Sequence, residues 1–325
     1  MDIEILFDSK RHKYTDNFGN SYTSVTTVIG DYEYKFADKE RDIAKACEKI
    51  GKNPLHPKYN RYKGMTYLQI LAKWEKDRIT GQNIGNSTHS YLEDSVDTAT
   101  GFVSPFVVQS GRLFTIKDLI LNPNTNIGKL DLNTFIKLGV KDKYPKIYKI
   151  IEAFVNDGWS IYSEICVYDY VRLIAGLIDI FLIKDNNFVI LDWKTNKAPI
   201  RFESGYYDKD DNGNITNYIL NEDRLRFPLH YLHQSTGIKY SLQLSKYAWL
   251  TEAFGLVNQA LILCHIRHDY YTKDHPDIIR YPELIGKQVT DILPINYMKE
   301  DIVKMVDHYC GSKLKAEPQL NIFRR

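Results

Sequence analysis

Residues Ala175–Lys197 read AGLIDIFLIKDNNFVILDWKTNK. Two apolar runs, Leu173–Ile183 and Phe188–Trp193, flank the polar Asp185–Asn187 turn, a pattern that predicts two neighbouring β-strands. Asp179 lies inside the first run, and Asp192 and Lys194 close the second. A charge in an apolar strand is costly unless it is paired or bound to metal. Two carboxylates and an ammonium at one sheet edge therefore need a chemical reason. Alternation puts Asp192 and Lys194 on one face of their strand and turns Trp193 away. An isolated Asp-x-Lys match is most often a structural ion pair; here Asp179 joins it. Carboxylate oxygens suit magnesium or manganese, which orient a water, lower its pKa and stabilise charge at a phosphodiester. Lys194 would position or help deprotonate that water, or neutralise charge near the scissile phosphate.

Working upstream, Ser160–Tyr168 reads as a third strand with Glu164 in its middle, which alone is as readily a surface residue. Before it, Ile147, Ile150, Ile151 and Phe154 give Tyr144–Asn156 helical spacing, closed by Gly158. Downstream, helix Ser241–Phe254 sets Gln243 and Tyr247 on one face, where a capping Gln and a core Tyr are the plain alternative. An apolar strand, Ala260–Ile266, and a last helix near Met298–Tyr309 follow. Helix–strand–strand–strand–helix–strand gives an α/β fold, a mixed central sheet flanked by helices.

At the N-terminus, Ile3, Ile5 and Phe7 alternate with polar residues, and DNFGN (16–20) supplies turn chemistry before Tyr22. Ser24 is placed to cap a short helix through Val28. Tyr34–Trp74 is helical in composition around a Gly51–Pro57 loop. Between Lys49 and Trp74 no acidic residue occurs, and Lys52, Lys58, Arg61 and Lys63 mingle with Tyr59 and Tyr62. Basic side chains neutralise phosphates and tyrosines stack on unpaired bases, although a solvated helix face explains such a run equally well. Residues 85–96 (GNSTHSYLEDSV) read as a capped helix start containing His89. Residues 1–84 are thus expected to form a hairpin and basic helical elaboration packed on a core, 85–325, that carries a long insertion, 196–240.

The chain has 325 residues, 43% apolar and 26% charged, with formal net charge +2. Near-neutral charge means that any nucleic-acid surface comes from local clustering. The opening MDIEILFDSKRHKY is too charged for a signal peptide, and no eighteen apolar residues run together. A cytoplasmic protein of a bacterial or phage-infected cell is expected, without membrane partner. Cys47, Cys166, Cys264 and Cys310 form no CxxC pair. Cys264, His265 and His268, with His230 and His233, make too scattered a set for structural zinc.

Taken in order, GNSTH (85–89), Glu164, GLID (176–179), DWK (192–194) and QLSKY (243–247) resemble the RecB-like branch of the PD-(D/E)XK nucleases. That branch is marked by G-x-x-x-H, a strand Glu, G-x-x-D, D-x-K and Q-x-x-x-Y. DWKT is also similar to the mitochondrial genome maintenance exonuclease family and related phage nucleases, and YTSVTTVIG (22–30) resembles a stretch that often opens such chains. The resemblance implies a restriction-endonuclease-like core, α-β-β-β-α-β. It implies that Asp179 and Asp192 bind one or two Mg²⁺ or Mn²⁺ ions, with His89 a further ligand favouring manganese. Lys194 would be catalytic, Glu164 would assist at metal-bound waters, and Gln243 and Tyr247 would support the site and the DNA.

The implied activity is a DNA exonuclease for single strands or free ends in replication, recombination or repair. A structure-specific or double-strand-end endonuclease is the nearest alternative. A non-catalytic DNA-binding scaffold is a third, and the presence of both aspartates and the lysine speaks against it. RNA stays open as a substrate, and no protein partner is implied. Ile178 stands where the proline of the superfamily name would be. Relatives with an iron–sulfur cluster group three cysteines near the C-terminus; this chain does not, so no cluster is expected. The 196–240 link is longer than usual, and Arg201, Lys209, Arg224, Arg226, His230 and His233 suit it to a lid or wedge over DNA.

Overall fold

The segment quoted above forms the centre of a mixed sheet. The computed structural model describes residues 3–8, 11, 13–34, 37–56, 58–79, 111–137, 139–196, 198–209, 215–268 and 288–316. Strands β1 (Ile5–Asp8), β2 (Lys13–Asp16), β3 (Ser21–Ser24), β4 (Lys129–Leu130), β5 (Ser160–Asp169), β6 (Ile174–Lys184) and β7 (Asn187–Lys194) precede a separate hairpin, β8 (Gly205–Lys209) and β9 (Ile215–Leu220). Strands β10 (Val257–His268) and β11 (Gln288–Ile295) complete the main sheet. The helices are α1 (Val25–Gly30), α2 (Ala37–Ile50), α3 (Tyr59–Tyr62), α4 (67–79), α5 (Ile116–Leu121), α6 (Leu132–Lys137), α7 (Val140–Lys143), α8 (Pro145–Asn156), α9 (Thr236–Glu252) and α10 (Lys299–Ala316).

The sheet order is β1-β2-β3-β6-β7-β10-β11, with β5 and then β4 also leading off β6. Strands β5, β6 and β7 run antiparallel, as the turn chemistry predicts; Asp185 turns the β6–β7 hairpin at φ 54°, a conformation Asp tolerates better than most residues. Helix α9 then crosses over so that β10 lies parallel to β7, with Leu263 beside Asp192 and His265 beside Lys194. The N-terminal meander joins the same sheet through parallel pairing of Thr23 with Ile174 and Ser24 with Ala175.

Both faces of the sheet are covered, which explains near-continuous apolar strands in place of simple alternation. On one face Phe181, Phe188, Ile190 and Leu263 meet α1, α9 and α10 through Val28, Leu244, Ala248, Ile302 and Met305. On the other, Leu182, Leu191, Trp193 and Ile266 meet α8 through Ile147, Tyr148 and Ile151. Helix α1 starts where expected, Ser24 Oγ accepting the Thr27 N–H at 3.0 Å. Helices α2 to α4 gather their own small core of Ala44, Cys47, Tyr62 and Ile70.

The sequence misplaces three features. Helix α9 begins at Thr236 instead of Ser241, capped by Ser235 Oγ on the Ile238 N–H. Gly237 disguises this first turn: its helix propensity is poor, but a Cβ there would lie 2.6 Å from the Arg201 carbonyl oxygen. The 196–240 segment, expected to be irregular, carries the β8–β9 hairpin. Strand β11 was not anticipated; it is an edge strand, which tolerates Pro294. The expected helix at 85–96 lies outside the described residues, and among those described no helix is long and apolar enough to cross a membrane.

Phe181 is fully buried and stacks on Phe188 at 5.6 Å and 22°. Phe181→Ala is expected to cost about 3–5 kcal/mol of unfolding free energy, read by urea denaturation.

Candidate active site at a fork in the sheet

Strand β6 pairs with β7 only from Lys184↔Asn187 to Ile180↔Leu191. Farther along, the same edge of β6 meets β3, at Ile174 and Ala175. The segment 176–179 therefore borders a fork, while Asp192, Trp193 and Lys194 continue in register with β10. Backbone groups at such a divergence still need partners. Asp179 Oδ2 supplies one, accepting the Trp193 N–H at 2.9 Å where a ladder carbonyl would otherwise stand.

Glu164 lies opposite Asp179 on the other side of β6, since Ser163↔Ile180 and Ile165↔Ile178 flank that position. The regular alternation slips at both residues. On β5, Tyr162 and then Ile165 face the α9 side; on β6, Ile178 and then Phe181 do so, and an odd step separates each pair. Glu164 takes φ 54°, in the left-handed region. A non-glycine residue held there costs about 1–3 kcal/mol, and such strain clusters at functional sites. Like charges directly across a sheet are also destabilising. Glu164 is buried, with 9% of its surface exposed.

Asp192 is 1% exposed and is held from two directions. The Lys194 ammonium lies 2.5 Å from its Oδ2, and Gln243 Nε2 donates to its Oδ1 at 3.4 Å. Gln243 Nε2 also donates to the Tyr247 hydroxyl at 3.2 Å, so the shared helix face expected for this pair is realised. Both residues are buried; Gln243 reaches Asp192 directly, and Tyr247 holds Gln243 in turn. Burial works against the Lys194 charge, yet Asp192 and Asp179 outweigh it and hold its pKa above the ordinary lysine value. Burial, then Asp192, raises the Tyr247 phenol well above the usual tyrosine value, so it stays neutral.

Glycine at 176 has a steric cause: a Cβ would come within 2.6 Å of Tyr247 Cε1 and 3.1 Å of Val25 Cγ2. The GLID string thus opens a seat for the Tyr247 ring as well as carrying Asp179.

Several contributors escaped the sequence reading. Tyr240 carries the Lys194 ammonium over its ring at 5.0 Å and donates to Asn196 Oδ1 at 2.7 Å. Its spacing from Gln243 and Tyr247 is helical, a usable signal had α9 been started correctly. His265, dismissed as a zinc ligand, donates through Nε2 to the Asn196 carbonyl at 2.9 Å and so pins the chain just after Lys194. Tyr14 is buried near Glu164; burial, Cys166 and Glu164 all push its phenol pKa up.

The basic N-terminal residues are mostly engaged by neighbours of their own. Lys52 pairs with Glu48 at 2.6 Å, and Lys58 with Asp208 of β8 at 2.5 Å. Arg61 and Lys63 lie over the rings of Tyr62 and Tyr59 at 5.5 Å each. Tyr62 belongs to the small helical core, so its ring is packing, not a platform for bases. His89 lies outside the described residues.

Among the described residues no group of three or more His, Cys, Asp or Glu side chains is placed to hold a metal ion. The two carboxylates at the fork, Asp179 and Asp192, are of the oxygen-donor type that a hard cation takes one or two at a time, with waters completing its shell. Compared with known proteins, the chain matches no family model, no curated protein and no solved structure.

Gly176→Ala is expected to lower stability by about 1–3 kcal/mol in urea denaturation. The loss should shrink in a Tyr247→Leu background, because the two residues share one space.

Proposed function

We propose that this chain is a metal-dependent nuclease that hydrolyses DNA phosphodiester bonds, built on a restriction-endonuclease-like core of the RecB-like type. The observation that carries the reading is the fork itself. Asp179 and Asp192, from strands that part at this point, are brought beside Lys194, with a strained Glu164 across the sheet from Asp179. An ordinary ion pair explains Asp192 and Lys194, but explains neither Asp179 nor the left-handed Glu164.

Asp179 and Asp192 would hold Mg²⁺ or Mn²⁺, which when bound supplies an activated water and charge stabilisation at the phosphate. The chain's own work is mainly positional. Trp193 N–H fixes the Asp179 carboxylate, and Gln243 fixes Asp192 from α9. Lys194, its ammonium paired with the buried Asp192 carboxylate, would supply positive charge where charge builds on the scissile phosphate. Glu164 would orient water at the site's inner side. Asp192 itself is buried, with Gln243 and Tyr247 packed behind it on α9, and exclusion of bulk solvent strengthens each electrostatic contact.

End-labelled single- and double-stranded DNA incubated with Mg²⁺, Mn²⁺ or EDTA tests this. Cleavage should need metal and should fall by about 100-fold or more in Asp192→Asn and in Lys194→Ala. The label released first gives the polarity. A wild-type protein that binds these DNAs but never cuts them would make the chain a DNA-binding scaffold.

A further inference from the structure

The 196–240 insertion, with Glu33, borders an open cavity of about 560 Å³ against the start of α9, within the roughly 300–1,000 Å³ of small-ligand sites. Tyr240 is the wall it shares with the catalytic centre: the residue lines the cavity and carries Lys194 over its ring. Two cations, Arg201 and Lys239, and one carboxylate, Glu33, line the cavity, a net positive balance. Arg201 is exposed, its guanidinium 5.3 Å from the Tyr218 ring centroid and 5.9 Å from that of Tyr207. Lys239 is half-buried and pairs with Glu33 at 2.7 Å.

The aromatic wall is fixed before any ligand arrives. Tyr207 donates to the Pro199 carbonyl at 2.8 Å and accepts from Arg201 Nε at 3.0 Å, while Tyr218 donates to the Glu203 carbonyl at 2.7 Å. Gly205 leaves the room for this wall, since a Cβ there would lie 2.8 Å from the Tyr218 ring. Gln234, which also lines the cavity, is bonded both ways to the Tyr34 backbone, at 2.8 and 2.9 Å. Tyr34 is 60% exposed and carries Arg226 5.0 Å over its ring, so exposed aromatic and cationic groups continue outward.

We infer that this cavity holds one unpaired nucleotide of the DNA strand being cut, its phosphate near Arg201 and Lys239 and its base against Tyr218. The inference rests on the nuclease reading and deepens it. Rings offer faces to any base, and guanidinium and ammonium groups take phosphate, so the cavity selects a single strand without reading sequence. Stacked duplex bases cannot enter, which gives the neighbouring centre a preference for unpaired strands and frayed ends.

The test is binding of fluorescent oligothymidylate and of a blunt duplex, by anisotropy in EDTA so that no cleavage occurs. Tyr218→Ala and Arg201→Ala should each weaken single-strand binding by about tenfold and leave duplex binding unchanged. Tyr218→Phe, which keeps the ring, should bind like wild type, and this separates lost stacking from a damaged hairpin. Unchanged single-strand affinity in both Ala variants, or an equal loss on the duplex, overturns the inference. Thymidine monophosphate binding as tightly as the oligonucleotide would assign the cavity to a free nucleotide and overturn it too. A wild type that binds through this cavity yet never cuts DNA with metal sinks the nuclease reading and leaves the cavity standing.

Discussion

The hydrogen bond from the Trp193 N–H to the Asp179 carboxylate is the contact on which the site turns. Two strands that share a hairpin tend to stay paired along their length, because each ladder bond they lose must be replaced. Here they separate, and a side chain from one closes the gap to the backbone of the other. A polar residue is thereby required at the centre of an apolar strand. The same bond fixes which way its carboxylate faces and how far apart the strands stand. The freed edge of β6 becomes available to β3, which is how the N-terminal meander enters the main sheet.

Around that fork, packing and electrostatics reinforce each other. Trp193 is buried on the α8 side while its neighbours Asp192 and Lys194 sit on the α9 side, so one short segment supplies both a core anchor and an ion pair. Gly176 admits the Tyr247 ring, Tyr247 receives Gln243, and Gln243 holds Asp192. Each step is a steric or hydrogen-bonding necessity, and together they join β6 to β7 through a helix distant in sequence. With the Lys194 ammonium paired to Asp192, the Asp179 carboxylate is held by the backbone of the neighbouring strand.

The central strands, α1, α8 and the pairing of Gln243 with Tyr247 were legible because periodicity, turn residues and caps are local signals. Asp179, Asp192 and Lys194 were legible because charge stands out in apolar strands. What stayed hidden is tertiary. The left-handed Glu164 depends on its cross-strand neighbour, and nothing in IYSEICV announces it. The start of α9 was masked by Gly237, whose small size answers to Arg201, far away in the chain. Tyr62 looked like a surface aromatic among cations until Ala44, Cys47 and Ile70 enclosed it. Strand β11 contains a proline, and only its edge position makes that harmless.

Helix α9 is buried along most of its length, between the sheet and helices α1 and α10. Tyr240, Gln243 and Tyr247 form one row on it, reaching Lys194, Asp192 and the seat over Gly176 respectively. A rod confined in this way can neither roll nor slide without disturbing all three contacts at once. The β8–β9 hairpin, a two-stranded sheet of its own, is tied down separately, through Tyr207 to Pro199, Tyr218 to Glu203 and Lys58 to Asp208. The protein thus divides labour in space: one confined helix keeps the geometry of the charged centre, and an independently tied hairpin holds the aromatic wall beside it.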